Sequence, residues 1–238
     1  PNYGLLQTRR KIYPKPMTTP INITTLTFPQ LKLKASDASK LRGYFANTFS
    51  KDSILFHNHT DENGFRYAYT LVQYKVLKGL PMVVGIGDGA RLGMQAFMDI
   101  EEIDIAGQQL RVDDKELKVD KVEAGVIDEL REYRLATPLF AFNQENYSTF
   151  RKLDREDKPA FLKKLVTSHL IAVLMGMGCE VTKEQRIMVS LRLQETMVKY
   201  NNHPMQMYTG RFTANVALPA GIGIGKSVSK GFGTVVPG

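Results

Sequence analysis

Two runs rich in β-branched and aromatic residues meet at Lys78-Gly79: Phe65 to Leu77 before the pair and Leu80 to Ile86 after it. Glycine accepts the positive φ that a two-residue hairpin turn demands, so the pair predicts two antiparallel strands. The flanks narrow the choice of fold. Asn22 to Lys34 is rich in Thr, Ile, Leu and Phe and predicts a strand, with Pro29 marking an edge or a bulge. Ser36 or Asp37 then caps a helix in which Ala38, Leu41, Phe45 and Thr48 recur at helical spacing, ending near Phe49. Lys51 to Asn63 is a short strand or loop. Asp88-Gly89 closes the second hairpin strand, and Ala90 to Met98 predicts another helix. Strand, helix, hairpin, helix, strand is the split βαβ, or ferredoxin-like, order.

The second half follows a looser version of that plan. Ile127 to Phe142 is expected to be extended, and Asn143 to Leu153 a short helix. Asp157 caps a longer helix with Pro159 in its first turn, an apolar face of Phe161, Leu162, Leu165, Leu170 and Leu174, and a stop at Gly176 or Gly178. Ile187, Val189, Leu191 and Leu193 alternate with Ser190, Arg192 and Gln194, as in a half-buried strand; Phe212, Ala214, Val216 and Leu218 repeat the pattern. Charge rises and apolar density falls between Ile105 and Asp120. The expected fold is therefore α+β, with two ferredoxin-like domains in tandem and a C-terminal glycine-rich loop. The boundaries are 1–16 for an N-terminal extension, 17–112 for the first domain and 113–238 for the second.

A formal net charge of +8 and a pI near 9.4 favour a polyanionic partner, nucleic acid before an anionic membrane; the plain alternative is a basic protein with no such partner. Cys179 is the single cysteine, so an intrachain disulfide and a cysteine tetrad for zinc are excluded, and a cytoplasmic setting is expected. No stretch reads as membrane-spanning: Leu165 to Met177 is short and carries His169. Pro1 to Pro16 holds Arg9, Arg10 and Lys11 and reads either as a basic arm touching RNA or as a flexible leader.

Two segments can carry chemistry. The first is Gly223-x-Gly225, five residues, then Gly231-x-Gly233. A nucleotide P-loop needs glycine where Ala220 stands, and a long helix afterwards that Gly231 and Gly233 would break. A flexible tail and a phosphate-tracking loop are left. In the latter, backbone N–H groups cradle oxygens and Lys226 and Lys230 supply charge. Ile222, Ile224 and Phe232 between the glycines argue for anchorage. The second segment is Phe56-His57-Asn58-His59. Imidazole is suited to proton transfer near neutral pH, and RNA carries its own nucleophile, the 2′-hydroxyl. One base and one acid then suffice for cleavage without metal or other cofactor. Metal ligation with Asp61 or Glu62, and purely structural histidines, are the competing readings. His169 lies on an apolar helix side and reads as packed; His203 reads as a turn residue. Tyr67, Tyr69, Gln73, Tyr74 and Lys75 share one strand. The tyrosines there stack bases or fill the core, and Lys75 either stabilises charge on a phosphate or is simply solvated.

Leu41-Arg42-Gly43-Tyr44-Phe45, Leu55-Phe56-His57-Asn58-His59, Tyr67, Gln73-Tyr74-Lys75 and Gly85-Ile86 resemble the CRISPR-associated Cas-six endoribonucleases, in the branch of type I-B-like systems. The C-terminal glycine pattern resembles the loop of the wider RAMP superfamily. The resemblance runs from about Thr24 to Val235 and implies tandem ferredoxin-like (RRM-like) domains. It implies a site-specific endoribonuclease that cuts CRISPR repeat RNA, leaving a 2′,3′-cyclic phosphate and a 5′-hydroxyl. It points to His59 as the main catalytic residue, assisted by His57, and to Tyr44 as a helix tyrosine of matching spacing. The lysine such enzymes place soon after the histidine is lacking here before Lys75. Lys226, Lys230 and the glycines should hold RNA, with Arg186, Arg192 and Lys199 extending the track. Other CRISPR effector subunits and a second copy of the chain are further partners that the resemblance admits. The main rival reading is a RAMP-type subunit that binds RNA without cutting it.

Overall fold

The computed structural model describes residues 17–49 and 69–238. Pro1 to Pro16, the segment Lys51 to Asn63 with His57 and His59, and Tyr67 lie outside the described residues. The expected hairpin is present: β2 (Val72–Leu77) and β3 (Leu80–Ile86) pair with Leu77 opposite Leu80. Lys78 and Gly79 between them have φ of 52° and 85°, the pair of left-handed residues a tight hairpin turn needs. β1 (Met17–Thr27) precedes them, followed by α1 (Ala38–Thr48); α2 (Ala90–Asp99) follows. β1 starts and ends earlier than the Asn22 to Lys34 expectation. Pro29 lies just past its end, and Pro20 lies where β1 pairs on one edge only.

The charge-rich stretch holds two elements that hydropathy did not mark. β4 (Glu102–Ile105) and β5 (Gln108–Arg111) form a second hairpin, turned by Ala106 and Gly107, both at positive φ. β6 (Glu116–Leu135) is a 20-residue strand. Beyond it come α3 (Gln144–Lys152), α4 (Lys158–Gly176), β7 (Val189–Tyr200), β8 (His203–Ala217) and β9 (Val235–Pro237). Asn143 caps α3 by accepting the Asn146 N–H, and Pro159 sits in the first turn of α4. Gly178, at φ 86°, follows the end of α4.

The main sheet runs β2-β3-β1-β6-β8-β7, with β9 also on β6. Its first four members in the order β6-β1-β3-β2, all antiparallel, form one ferredoxin-like sheet with α1 and α2 as its helices. The order β9-β6-β8-β7 repeats the same arrangement for the second unit. β6 therefore serves both units. Residues 116–126 pair with β1; Gly125 and Val126, then residues 131–134 past an irregularity, pair with β8, and residues 133–135 pair with β9. The expected boundary at 112–113 falls just ahead of this shared strand. In the second unit no α-helix lies between β8 and β9; the glycine-rich loop takes that place.

Strand alternation sends neighbouring residues to different cores. Val83 packs with Leu26, Phe28, Leu41, Phe45 and Tyr74 under α1 and α2. Val84 joins Ile23, Ile86, Leu170, Phe212, Ile222 and Ile224 in a core that runs from the first unit into the second. α4 has the length and composition of a membrane-crossing helix, which corrects the expectation that no stretch does. Its Leu165, Val166, Leu170 and Leu174 are buried in this second core. Phe45 is fully buried against Phe28, Phe49 and Tyr74. Replacing it with Ala should lower unfolding stability by about 3–5 kcal/mol; a denaturant midpoint like the parent's would show that α1 contributes little to that core.

Candidate nucleic-acid interface

β2 points Val72 and Tyr74 at the helix-covered core, so Gln73 and Lys75 face the opposite side, where both are fully buried. The glycine-rich loop packs on that side. Gln73 Oε1 accepts the Gly223 N–H at 2.8 Å. Its Nε2 donates to Tyr69 Oη at 2.8 Å and to the Thr70 carbonyl at 3.0 Å. Tyr69 Oη in turn donates to the Gly223 carbonyl at 2.8 Å. Gly223 is thus held at both its N–H and its carbonyl. Further on, Lys75 Nζ donates to Thr234 Oγ1 at 3.1 Å, and Thr234 Oγ1 donates to the Gly231 carbonyl at 3.2 Å. That carbonyl also accepts from Thr137 Oγ1 at 2.6 Å. Ile222 and Ile224 are fully buried. The loop is an ordered seam between the two units, which removes the flexible-tail reading.

The seam also corrects how the glycines were expected to work. Gly223, Gly231 and Gly233 donate their N–H groups to Gln73, Val228 and Pro138, and Lys226 N donates to the Phe140 carbonyl. These groups shape the loop rather than cradle a phosphate. Gly233, at φ 63°, lies so close to the Ile224 carbonyl that a Cβ would collide with it. Gly225, also left-handed, packs on Leu139 and Phe140. The positive charge of this region lies on side chains. Lys226 and Lys230 are half-buried on the loop, with Lys230 Nζ donating to Tyr200 Oη at 2.7 Å. Arg186, just before β7, and Arg192 and Lys199 on it are exposed. Arg192 stands opposite Arg211, which pairs with Glu132 at 2.8 Å.

The other candidates divide. His57 and His59 lie outside the described residues. Tyr44 on α1 is half-buried, and its hydroxyl donates to the Glu102 carbonyl at 2.6 Å. Lys75 is neither a solvated lysine nor a groove residue: it is enclosed, because strand alternation turns it into the seam. His169 is packed as expected, with Nε2 2.7 Å from the Ala141 carbonyl. Burial lowers its pKa despite that bond. His203 opens β8, opposite Tyr200; the turn residues are Asn201 and Asn202, both at positive φ. Sequence reasoning missed Thr137 and Thr234. Thr234 directly follows the last glycine of the pattern, a position that invites inspection, whereas nothing around Thr137 marks it.

Models of two domains of one family match this chain in succession: the Cas6b N-terminal domain over residues 19–123 and the Cas6b C-terminal domain over residues 125–237. The two matches meet inside β6, near the point where it passes from β1 to β8. A crystal structure of Cas6b is 29% identical, with a TM-score of 0.83 over 92% of this chain and 100% of that one. A crystal structure of a CRISPR RNA processing endoribonuclease Cas6b is 26% identical, with a TM-score of 0.74 over the same shares, 92% and 100%. An uncharacterized protein of Methanocaldococcus jannaschii is 29% identical over 143 residues, 60% of this chain and 96% of that protein. The chain belongs to the Cas6b family.

Burial pushes Lys75 down to about 7 from an ordinary value of 10.5. Between those values the unfolded chain binds more protons at this site than the folded one. This group therefore makes stability rise with pH across that window, by up to about 1.4 kcal/mol per pH unit, and below it the folded state carries the full cost of the buried cation. Lys75→Met should show its largest gain over the parent near pH 6, and a gain that shrinks toward pH 10. Urea midpoints of both proteins at about pH 6, 8 and 10 test this; a constant difference would mean that Lys75 does not titrate in that window.

Proposed function

We propose that this protein is an endoribonuclease that cuts CRISPR precursor RNA within each repeat, by metal-independent attack of a ribose 2′-hydroxyl on the adjacent phosphorus. The observation that carries this reading is the match of both halves to the Cas6b domains, together with whole-chain likeness to a Cas6b that processes CRISPR RNA. In the proposed step His59 acts as general base or acid, with His57 or Tyr44 as its partner. One group takes the proton from the 2′-hydroxyl as the 2′-oxygen bonds to phosphorus. The other gives a proton to the departing 5′-oxygen as its bond to phosphorus breaks. The products are a 2′,3′-cyclic phosphate and a 5′-hydroxyl, and no metal is consumed or required by that balance. Lys226, Lys230, Arg186, Arg192 and Lys199 supply positive charge for the RNA backbone, consistent with the net +8.

A second reading, an RNA-holding subunit that does not cut, is favoured by two observations: the Tyr44 hydroxyl donates to a backbone carbonyl, and Lys75 is enclosed. End-group analysis separates the two. Purified protein incubated with repeat RNA in EDTA should give cyclic-phosphate and 5′-hydroxyl ends at one position, and replacing the scissile 2′-hydroxyl with hydrogen should abolish cutting. His59→Ala should slow the reaction by roughly 10²–10⁴-fold with RNA binding largely kept. Tight binding without products would favour the second reading, and cutting by His59→Ala at the parent rate would remove His59 from the mechanism.

A further inference from the structure

Three aromatic residues from three separate elements converge where the glycine-rich loop meets the β7–β8 ribbon. Phe140 comes from the segment after β6, Tyr200 from the end of β7 and Phe232 from the loop. Their ring centroids lie 6.0 Å (Phe140–Tyr200), 6.2 Å (Phe140–Phe232) and 5.2 Å (Tyr200–Phe232) apart, all edge to face. In a second aromatic group of the same unit, the central Phe142, Phe150 and Tyr208 are each 6% exposed or less, and only Tyr147 and Phe161 at its margin reach the surface. Phe140, Tyr200 and Phe232 are instead all half-buried, so they lie at the surface rather than in the core.

Lysine side chains stand beside them. Lys230 Nζ lies 2.7 Å from Tyr200 Oη and 5.3 Å from the centre of its ring. Its partner is a phenol rather than a carboxylate, so the positive charge is positioned without being neutralised. Lys199 beside Tyr200 is exposed, and Lys226 rises from the same loop. The N–H groups of Gly223, Gly231 and Gly233 are already used inside the seam, so an RNA strand meeting this surface encounters rings and ammonium groups. Every nucleobase has a π face, and stacking on aromatic side chains beside cations is the usual way to hold an unpaired base.

We propose that Phe140, Tyr200 and Phe232 form a platform on which one unpaired nucleobase of the RNA stacks, with Lys230 set to meet an adjacent phosphate. This rests on the RNA-processing reading above and adds a recognition site to it. It requires no chemistry at the platform, so cutting and stacking can fail separately.

The test uses the full-length protein and repeat RNA in which single unpaired positions are made abasic in turn. One abasic position should weaken binding to the parent by about 5- to 150-fold, the range expected for one stacked base. In Tyr200→Ala the same position should have little further effect, because the stacking partner is already gone, whereas Tyr200→Phe should keep the dependence. A 2-aminopurine at that position should be quenched on binding the parent. Should Tyr200→Ala fail to fold, photocrosslinking of 5-iodouridine RNA to the parent decides: a crosslink at Phe140, Tyr200 or Phe232 supports the platform. RNA binding with no sensitive position, or crosslinks only elsewhere, overturns the platform while leaving the processing reading intact. No binding of repeat RNA at all overturns both.

Discussion

The hydrogen bond from Gly223 N–H to Gln73 Oε1 ties the last segment of the chain to a strand of its first half. Both partners are buried, so neither can turn to water if the other is lost, and an unpaired buried polar group costs about 1–3 kcal/mol. The bond exists because the second unit has no helix between β8 and β9. A helix satisfies its own backbone, whereas a loop in that place needs outside partners for its amides. Gln73, Tyr69 and Thr137 are outside partners of the loop's backbone groups, two of them from the first unit. The loop that distinguishes the second unit from the first is thus also what fastens the two together.

β6 supports the same union from the other side. Its first half reads Glu-Leu-Lys-Val-Asp-Lys-Val-Glu and pairs with β1; Leu117 and Val122 are half-buried there, whereas Val119 is exposed. Its second half enters the common core through Tyr133 and Leu135. Tyr133 Oη donates to the Val216 carbonyl and accepts the Leu218 N–H, closing β8 onto it just ahead of the glycine-rich loop. A strand shared in this way places the loop beside β2 without a linker whose length could vary.

What could be read from the sequence was local. Leu41 and Phe45 at helical spacing gave α1, Lys78-Gly79 gave the β2–β3 turn, and Asn143 and Pro159 marked the starts of α3 and α4. Pairings between distant residues left no such trace. The Glu102 to Arg111 hairpin was hidden by its charge, although Ala106-Gly107 turns it much as Lys78-Gly79 turns the first. Lys75 was misread because a lysine in a strand is ordinarily solvated, and only the arrival of Thr234, far along the chain, encloses it. The glycine spacing was legible as a loop that approaches something closely. That the nearest neighbour is protein rather than phosphate depends on Gln73, which no local pattern announces.

This division bears on how such a chain can meet RNA. If the loop's amides were free, a polyanion could be gripped by backbone dipoles alone and the side chains between the glycines would matter little. With Gly223, Gly231 and Gly233 occupied internally, what the loop can offer a ligand lies mainly in the side chains it displays. Ile222 and Ile224 turn inward and anchor it, while Lys226, Lys230 and Phe232 are left at the surface. The isoleucines anchor the first part of the loop in the core, and the cations and the aromatic ring follow further along it. The seam gives the displayed groups a fixed geometry, so under the proposed function an RNA strand would meet positions already in place and less ordering entropy would oppose its binding.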